Sequence, residues 1–213
     1  VLFGAVGLRE VDDRLPFREY TAKVRKAFDQ YVNLRPVRLL DGVPGPLRNE
    51  SGEPVDFAVI RENTEGEFVQ AGEILHGDTA AGTAVNTSVF TRRGIERIAH
   101  YSFRLARARR SKVTNVTKSN TLIHTMVYWD RVIGEVAESY PDVEYEQLYV
   151  DAVAAKMVLR PQSFDVLVTT NMIGDILSDL GGALMGSLGL APSGNINPEG
   201  DFPSMFEPIH GSA

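Results

Sequence analysis

Residues 112–150 read KVTNVTKSNTLIHTMVYWDRVIGEVAESYPDVEYEQLYV, and residues 164–185, after a short interval, read FDVLVTTNMIGDILSDLGGALM. Lys112 to Thr117 carries β-branched residues in a short run and predicts a strand. Leu122 to Ser139 predicts a helix, Val143 to Val150 a strand, Phe164 to Thr170 a strand and Asp175 to Met185 a helix. Strand alternating with helix at this spacing predicts an α/β fold with a doubly wound sheet. In such sheets ligands gather beyond the carboxyl ends of the strands, so residues just past those ends are the first candidates for chemistry.

Upstream, Pro16 to Val32 reads as a helix with Val24, Phe28 and Tyr31 or Val32 on one side, ending near Arg35 because the residue before Pro36 is excluded from the α region. Asp41-Gly42-Val43-Pro44-Gly45-Pro46 is turn-rich and marks a crossing between domains. Pro54 to Ile60 predicts a short apolar strand that delivers Arg61-Glu62-Asn63-Thr64-Glu65-Gly66-Glu67-Phe68 to a loop. Residues 70–90 are rich in Gly, Thr, Ala and Val without a helical period; an extended hairpin arm reaching a partner and a plain exposed loop both fit. Thr91 caps a further helix whose buried stripe is Ile95, Ile98, Ala99 and Ala106. The basic end of that helix, Arg104 to Arg110, complements the helix dipole and reads as a solvated face rather than a phosphate patch.

The chain has 213 residues, 43% of them hydrophobic, enough for a real core at about 150 residues per domain. It carries 22 Lys+Arg against 28 Asp+Glu, a net charge of −6, which argues against a dedicated nucleic-acid binder. With no cysteine it has no disulfide scaffold, thiolate metal site or cysteine nucleophile. No apolar run approaches the roughly 20 residues of a membrane span, so a cytoplasmic protein without membrane contact is expected. There is no initiator Met; Val1 to Gly7 reads as a strand entering a tight glycine turn, and the chain stops at His210-Gly211-Ser212-Ala213. Both ends look cut, and a fragment of a longer chain, inactive alone, is the expectation.

Asp175 and Asp179 stand four residues apart, so both carboxylates project from one face of a helix. An isolated pair would serve the helix terminus, but Asp151 lies at the end of another strand, Tyr149-Val150-Asp151. Three carboxylates converging at strand ends would suit a hard divalent ion with open positions for substrate. Lys118 follows a strand directly and is a candidate base. Arg25, Arg35 and Arg61, from a helix, a helix exit and a strand end, would together clamp a substrate with two carboxylates. Phe206 to Ser212 forms a loop with a His and a Gly, and no strand-linked GxGxxG is present. His76, His100 and His124 lack ligand-spaced partners, and Trp129 reads as packing.

Taken together, Asn33-Leu34-Arg35-Pro36, Arg61 to Gly66, Thr117-Lys118-Ser119-Asn120, Tyr149-Val150-Asp151, Gly174 to Asp179 and Glu207 to Ala213 resemble the isocitrate and isopropylmalate dehydrogenase family, the metal-dependent β-decarboxylating dehydrogenases of 2-hydroxy acids. Residues 28–38, Ser88 to Gly94 and Asn195 to Glu199 look most like its tartrate and D-malate members. The resemblance implies an isopropylmalate-dehydrogenase-like fold: a two-domain, doubly wound mixed sheet with a protruding dimer arm at about residues 70–90. Residues 1–40 and 186–213 would belong to the cofactor-binding domain, and residues 41–185 to the substrate, metal and dimerisation domain. It implies that Arg25, Arg35 and Arg61 bind substrate carboxylates and that Asp151, Asp175 and Asp179 bind Mg²⁺ or Mn²⁺. Lys118 would transfer protons, and Asn120, Glu207, His210 and Gly211 would lie near NAD. It further implies a homodimer whose shared sites take the lysine and one aspartate from across the interface.

The chain departs from the family pattern twice. Phe68 stands where members carry a tyrosine that protonates the enolate, and a phenyl ring has no proton to give. Pro16-Phe17-Arg18-Glu19-Tyr20-Thr21, where members read the third substituent of the substrate, is more polar than an isopropyl group prefers; this leans to tartrate or D-malate over 3-isopropylmalate. A non-catalytic regulatory or binding subunit is the rival of another class, made thinkable by Phe68.

Overall fold

In a computed structural model of the chain, residues 1–4, 12, 15–47 and 52–210 are described, apart from the side chains of residues 16–18. The glycine turn expected after Val1 and the candidate Gly211 lie outside them. The elements are α1 (Ala22–Ala27, preceded by a π-helical turn, Pro16–Thr21), β1 (Val32–Arg38), β2 (Asp56–Glu62), β3 (Gly66–Leu75), β4 (Thr83–Val89), α2 (Arg92–Arg107), β5 (Lys112–Thr117), α3 (Thr125–Ala137), β6 (Glu144–Tyr149), α4 (Val150–Leu159), β7 (Val166–Thr169), α5 (Asn171–Leu184), β8 (Pro192–Ile196) and β9 (Met205–Pro208).

Seven strands form one mixed sheet in the order β6-β5-β7-β2-β1-β8-β9. The first four run parallel, and β1, β8 and β9 add antiparallel. Strands β2, β5 and β7 are buried almost along their whole length, as in sheets covered on both faces. The helices supply that cover in two packed pairs, α2 with α3 and α4 with α5. Trp129, Phe57, Phe103, Phe164 and Ile60 are fully enclosed. At roughly 1.5–3 kcal/mol for each large side chain taken from water, this core carries the fold.

The helix expected over residues 16–32 is shorter than the periodicity suggests. It ends at Ala27, the chain turns at Asp29 with a φ of 40°, and Val32 already begins β1. The apparent stripe misleads because Phe28 stays 37% exposed, while the buried residue of α1 is Arg25. Arg35 therefore sits inside a strand. Pro36 is tolerated there because the pairing of β1 with β8 stops at Leu34.

Residues 66–89 form a hairpin, not a plain loop. β3 and β4 pair from Ala71 to Leu75, with a register shift below Ala71 where Gln70 takes a φ of 57°. Ile74 at its tip is 74% exposed. At the basic end of α2, Arg107 pairs with Asp142 and lies 4.5 Å from the centre of the Tyr140 ring, and Arg109 bridges Asp56 at 2.6 Å and Asp165 at 2.8 Å. These arginines tie the C-terminal end of α2 to the turn before β6 and to the starts of β2 and β7. Trp129 is core, with its indole N–H on Asn115 Oδ1 at 2.8 Å.

Candidate active site

Arg61, in the last turnings of β2, is 1% exposed, and Arg35, on the adjacent antiparallel strand, is 5% exposed. Asn33 is the register partner of Arg61, and Arg35 lies two residues on, so both guanidiniums emerge on one face of the sheet. That face meets α5. Arg61 donates through Nε to Asn171 Oδ1 at 2.9 Å and through Nη1 to Asp175. Arg35 donates to Ser178 Oγ at 2.5 Å and to Asp175 at 3.4 Å, with Asp179 at 3.9 Å. Burial, then the charge of Arg35, pushes the Arg61 guanidinium down to about 9, which leaves it charged at neutral pH. Burial lowers Arg35 as well. Burial also raises the Asp179 carboxyl, against the pull of Arg35.

Arg25, buried on α1, donates to Glu207 Oε1 on β9 at 2.9 Å, and Asn195 Nδ2 donates to the same oxygen at 2.8 Å. Arg25 lines a cleft of about 340 Å³, together with Lys23, Asn63, Phe68 and Asn171. The Arg61 guanidinium lies 5.5 Å from the centre of the Phe68 ring. Of the three arginines Arg25 lines this cleft, while Arg35 and Arg61 lie buried behind it, near enough for the three charges to act on one another, with Asp175 and Asp179 against Arg35. Such an arrangement can hold an acid with two carboxylates.

Lys118 and Asp151 form a second group. Lys118 Nζ donates to Asp151 Oδ1 at 2.6 Å, and this bond holds the Asp151 carboxyl below the usual range. Asp151 is the second residue of α4, and its side chain is 67% exposed. Strand β7 stands between β5, which ends just before Lys118, and β2, which carries Arg61, a separation of two strand spacings or roughly 10 Å. The three aspartates do not meet within one chain, and no group of three or more His, Asp or Glu placed for a metal occurs among the described residues. The reason is topological: Asp151 rides beyond the edge strand β6, whereas Asp175 and Asp179 face β1 and β2.

Asn120 is exposed in the turn after β5, and His210 is exposed just past β9. His100 Nδ1 bonds Tyr140 Oη at 2.9 Å, and His76 and His124 are exposed. Sequence reasoning missed how the Arg61 loop is wired. Glu62 accepts from the Thr64 and Glu65 amides at 2.9 and 2.7 Å, Glu65 from the Thr91 amide at 2.8 Å, and Glu67 from the Met172 amide at 3.1 Å. Burial raises the Glu62 carboxyl, and the bonds from Thr64 and Glu65 oppose it. The only signal was three glutamates within six residues outside any helical period.

A profile described as isocitrate/isopropylmalate dehydrogenase matches residues 1–213. The chain belongs to that family. Among the relatives of this family member, the D-malate dehydrogenase [decarboxylating] of Escherichia coli (strain K12) is 48% identical over 215 residues, 100% of this chain and 60% of the relative. The tartrate dehydrogenase/decarboxylase of Pseudomonas putida is 48% identical over 216 residues, 100% of this chain and 59% of that one. The chain thus spans about 60% of the length of the curated relatives it matches. The crystal structure of isocitrate dehydrogenase from Methylococcus capsulatus superposes with a TM-score of 0.85 at 38% identity, over 99% of this chain and 59% of that one. The α/β class expected from the strand and helix alternation, and the mixed sheet that the family resemblance implied, are borne out.

Proposed function

We propose that the protein oxidises and decarboxylates a small 2-hydroxy dicarboxylate of the tartrate or D-malate type, using NAD and Mg²⁺ or Mn²⁺. The observation that carries this reading is the trio of buried guanidiniums, Arg25, Arg35 and Arg61, beside Asp175 and Asp179. Arg25, Arg35 and Arg61 would take the two substrate carboxylates. Asp175 and Asp179 suit a hard divalent ion: they are oxygen donors on one face of α5, with side chains 45% and 60% exposed. With Asp151 of a second copy they would hold Mg²⁺ or Mn²⁺, which when bound polarises the C2 oxygen of the substrate. Asp175 also pairs with Arg35 and Arg61, so the carboxylate that would take the ion is the one that orients both forks.

Lys118, from the second copy, would take the hydroxyl proton, and Asn120, Glu207, His210 and Gly211 are the residues that would hold NAD near the substrate. Phe68, on the cleft wall, cannot supply the proton that the enolate needs after CO₂ leaves, so that step falls to Lys118 or water. The homodimer is supported by the separation of the Lys118–Asp151 pair from the guanidiniums of its own chain. It is also supported by a groove of about 750 Å³ between the hairpin and the start of α5, where Phe68, Ile74, Val85 and Met172 share the lining with Glu67 and Glu73.

The cleft wall favours tartrate or D-malate over 3-isopropylmalate, because Glu19 and Lys23 line it and pair at 2.5 Å, a charged surface that suits a hydroxyl or hydrogen better than an isopropyl group. The test is turnover of D-malate, tartrate and 3-isopropylmalate by the full-length protein with Mn²⁺ and either NAD or NADP, following reduced cofactor and CO₂. Preference for a tartrate-type acid with NAD is expected. Preference for 3-isopropylmalate would overturn the substrate assignment, and metal-dependent binding without any turnover would make the protein a regulatory subunit.

A further inference from the structure

Asp130, on α3, faces the C-terminal ends of two neighbouring strands. Its carboxylate accepts from Asn115 Nδ2 at 2.9 Å and Thr117 Oγ1 at 3.0 Å on β5, and from Gln147 Nε2 at 3.0 Å on β6. Asn115 and Gln147 are register partners, so the one carboxylate clips β5 to β6 across the pair. The oxygen of Asn115 is occupied by the Trp129 indole, which leaves its amino group to face Asp130. The Thr117 hydroxyl gives its single proton to Asp130 and accepts the Ser119 backbone N–H at 3.1 Å, closing the turn that presents Lys118. Asn115 and Thr117 are completely buried.

Packing alone does not ask for an anion at residue 130. All three neighbours donate to it, and no ion pair to Asp130 occurs among the described residues. Strand β5 ends one residue before Lys118, and β6 ends two residues before Asp151.

We propose that Asp130 is a positioning residue, which locks the exits of β5 and β6 so that Lys118 and Asp151 are presented as one preformed pair. The inference rests on the reading of Lys118 and Asp151 given above. Asp130→Asn replaces one acceptor with a donor and sets it against a donor. In the full-length protein, kcat is expected to fall on the order of 10- to 100-fold with KM for the hydroxy acid nearly unchanged, since Arg25, Arg35 and Arg61 are untouched. Thr117→Val, which keeps the shape and loses the hydroxyl, should reproduce the fall, and Thr117→Ser should restore the rate. Asp130→Asn combined with Thr117→Val should be no slower than Thr117→Val alone, because both break one relay.

A wild-type kcat in folded Asp130→Asn or Thr117→Val overturns the proposal, as does a multiplicative loss in the double variant or a rise in KM alone. Lys118→Ala is the control: if it turns over normally, the reading of the site fails, whereas a dead Lys118→Ala beside a normal Asp130→Asn defeats only the positioning role.

Discussion

Arg35 and Arg61 share Asp175 as a partner, and that carboxylate, with Asp179 beside Arg35, offsets their mutual repulsion and burial. Removing a fork from such a set costs more than a surface ion pair, because what remains is buried charge. Arg35→Lys keeps the charge but loses the planar pair of donors; KM for the dicarboxylate should rise about 10- to 100-fold, as expected for a charge-assisted bond of roughly 1.5–3 kcal/mol. An unchanged KM in steady-state kinetics would remove Arg35 from the substrate site. Phe68→Tyr adds a hydroxyl to the cleft wall; the expected result is faster protonation of the enolate, seen as faster appearance of the final keto acid after CO₂ and reduced cofactor have formed, and identical rate and product would show that Phe68 is neutral. Arg35, Arg61 and Asp175 were legible because motif order singled them out. Asn171 and Asn63 were not, since a neutral amide carries no pattern until a buried guanidinium or a cleft is set against it.

Helix α5 approaches β2 closely because Gly174 has no side chain: a Cβ there would stand 2.7 Å from Cβ of Arg61. Gly174→Ala must push the helix off the strand. We expect a loss of about 1–3 kcal/mol in a denaturant titration, with weaker Mn²⁺ binding because Asp175 moves as well. A full-stability Gly174→Ala with unaltered metal affinity would show that the spacing is slack. Helix α5 begins at Asn171, four residues before the start read from the sequence, because Glu67 accepts its Met172 amide and the Thr170 hydroxyl. A cap supplied from 105 residues away leaves no local trace. The N-terminus of α2 was read correctly, because its cap is local: Thr91 accepts the Gly94 amide at 3.0 Å. Helix α4 escaped notice, since Val153 and Met157 alone are buried on it and no amphipathic stripe marks it.

The arrangement of the two groups of site residues predicts sites shared between copies. A mixture of Lys118→Ala and Arg35→Met proteins, each inactive, should regain activity on reassociation, because a mixed dimer contains one site with Arg35 from one chain and Lys118 from the other. No recovery after exchange, confirmed by mass, would place each site within a single chain. Chain order and residue type alone determined the α/β class, the Thr91 cap and the family, because alternation, caps and motif order are local or one-dimensional properties. Three-dimensional folding decided that residues 66–89 are a hairpin, that Arg35 sits in a strand, and that Asp151 stands apart from Asp175 and Asp179. It also decided that Asp130 spans two strands. Each of these depends on which distant segment supplies the hydrogen-bond partner, and that is settled only when the sheet order β6-β5-β7-β2-β1 is in place.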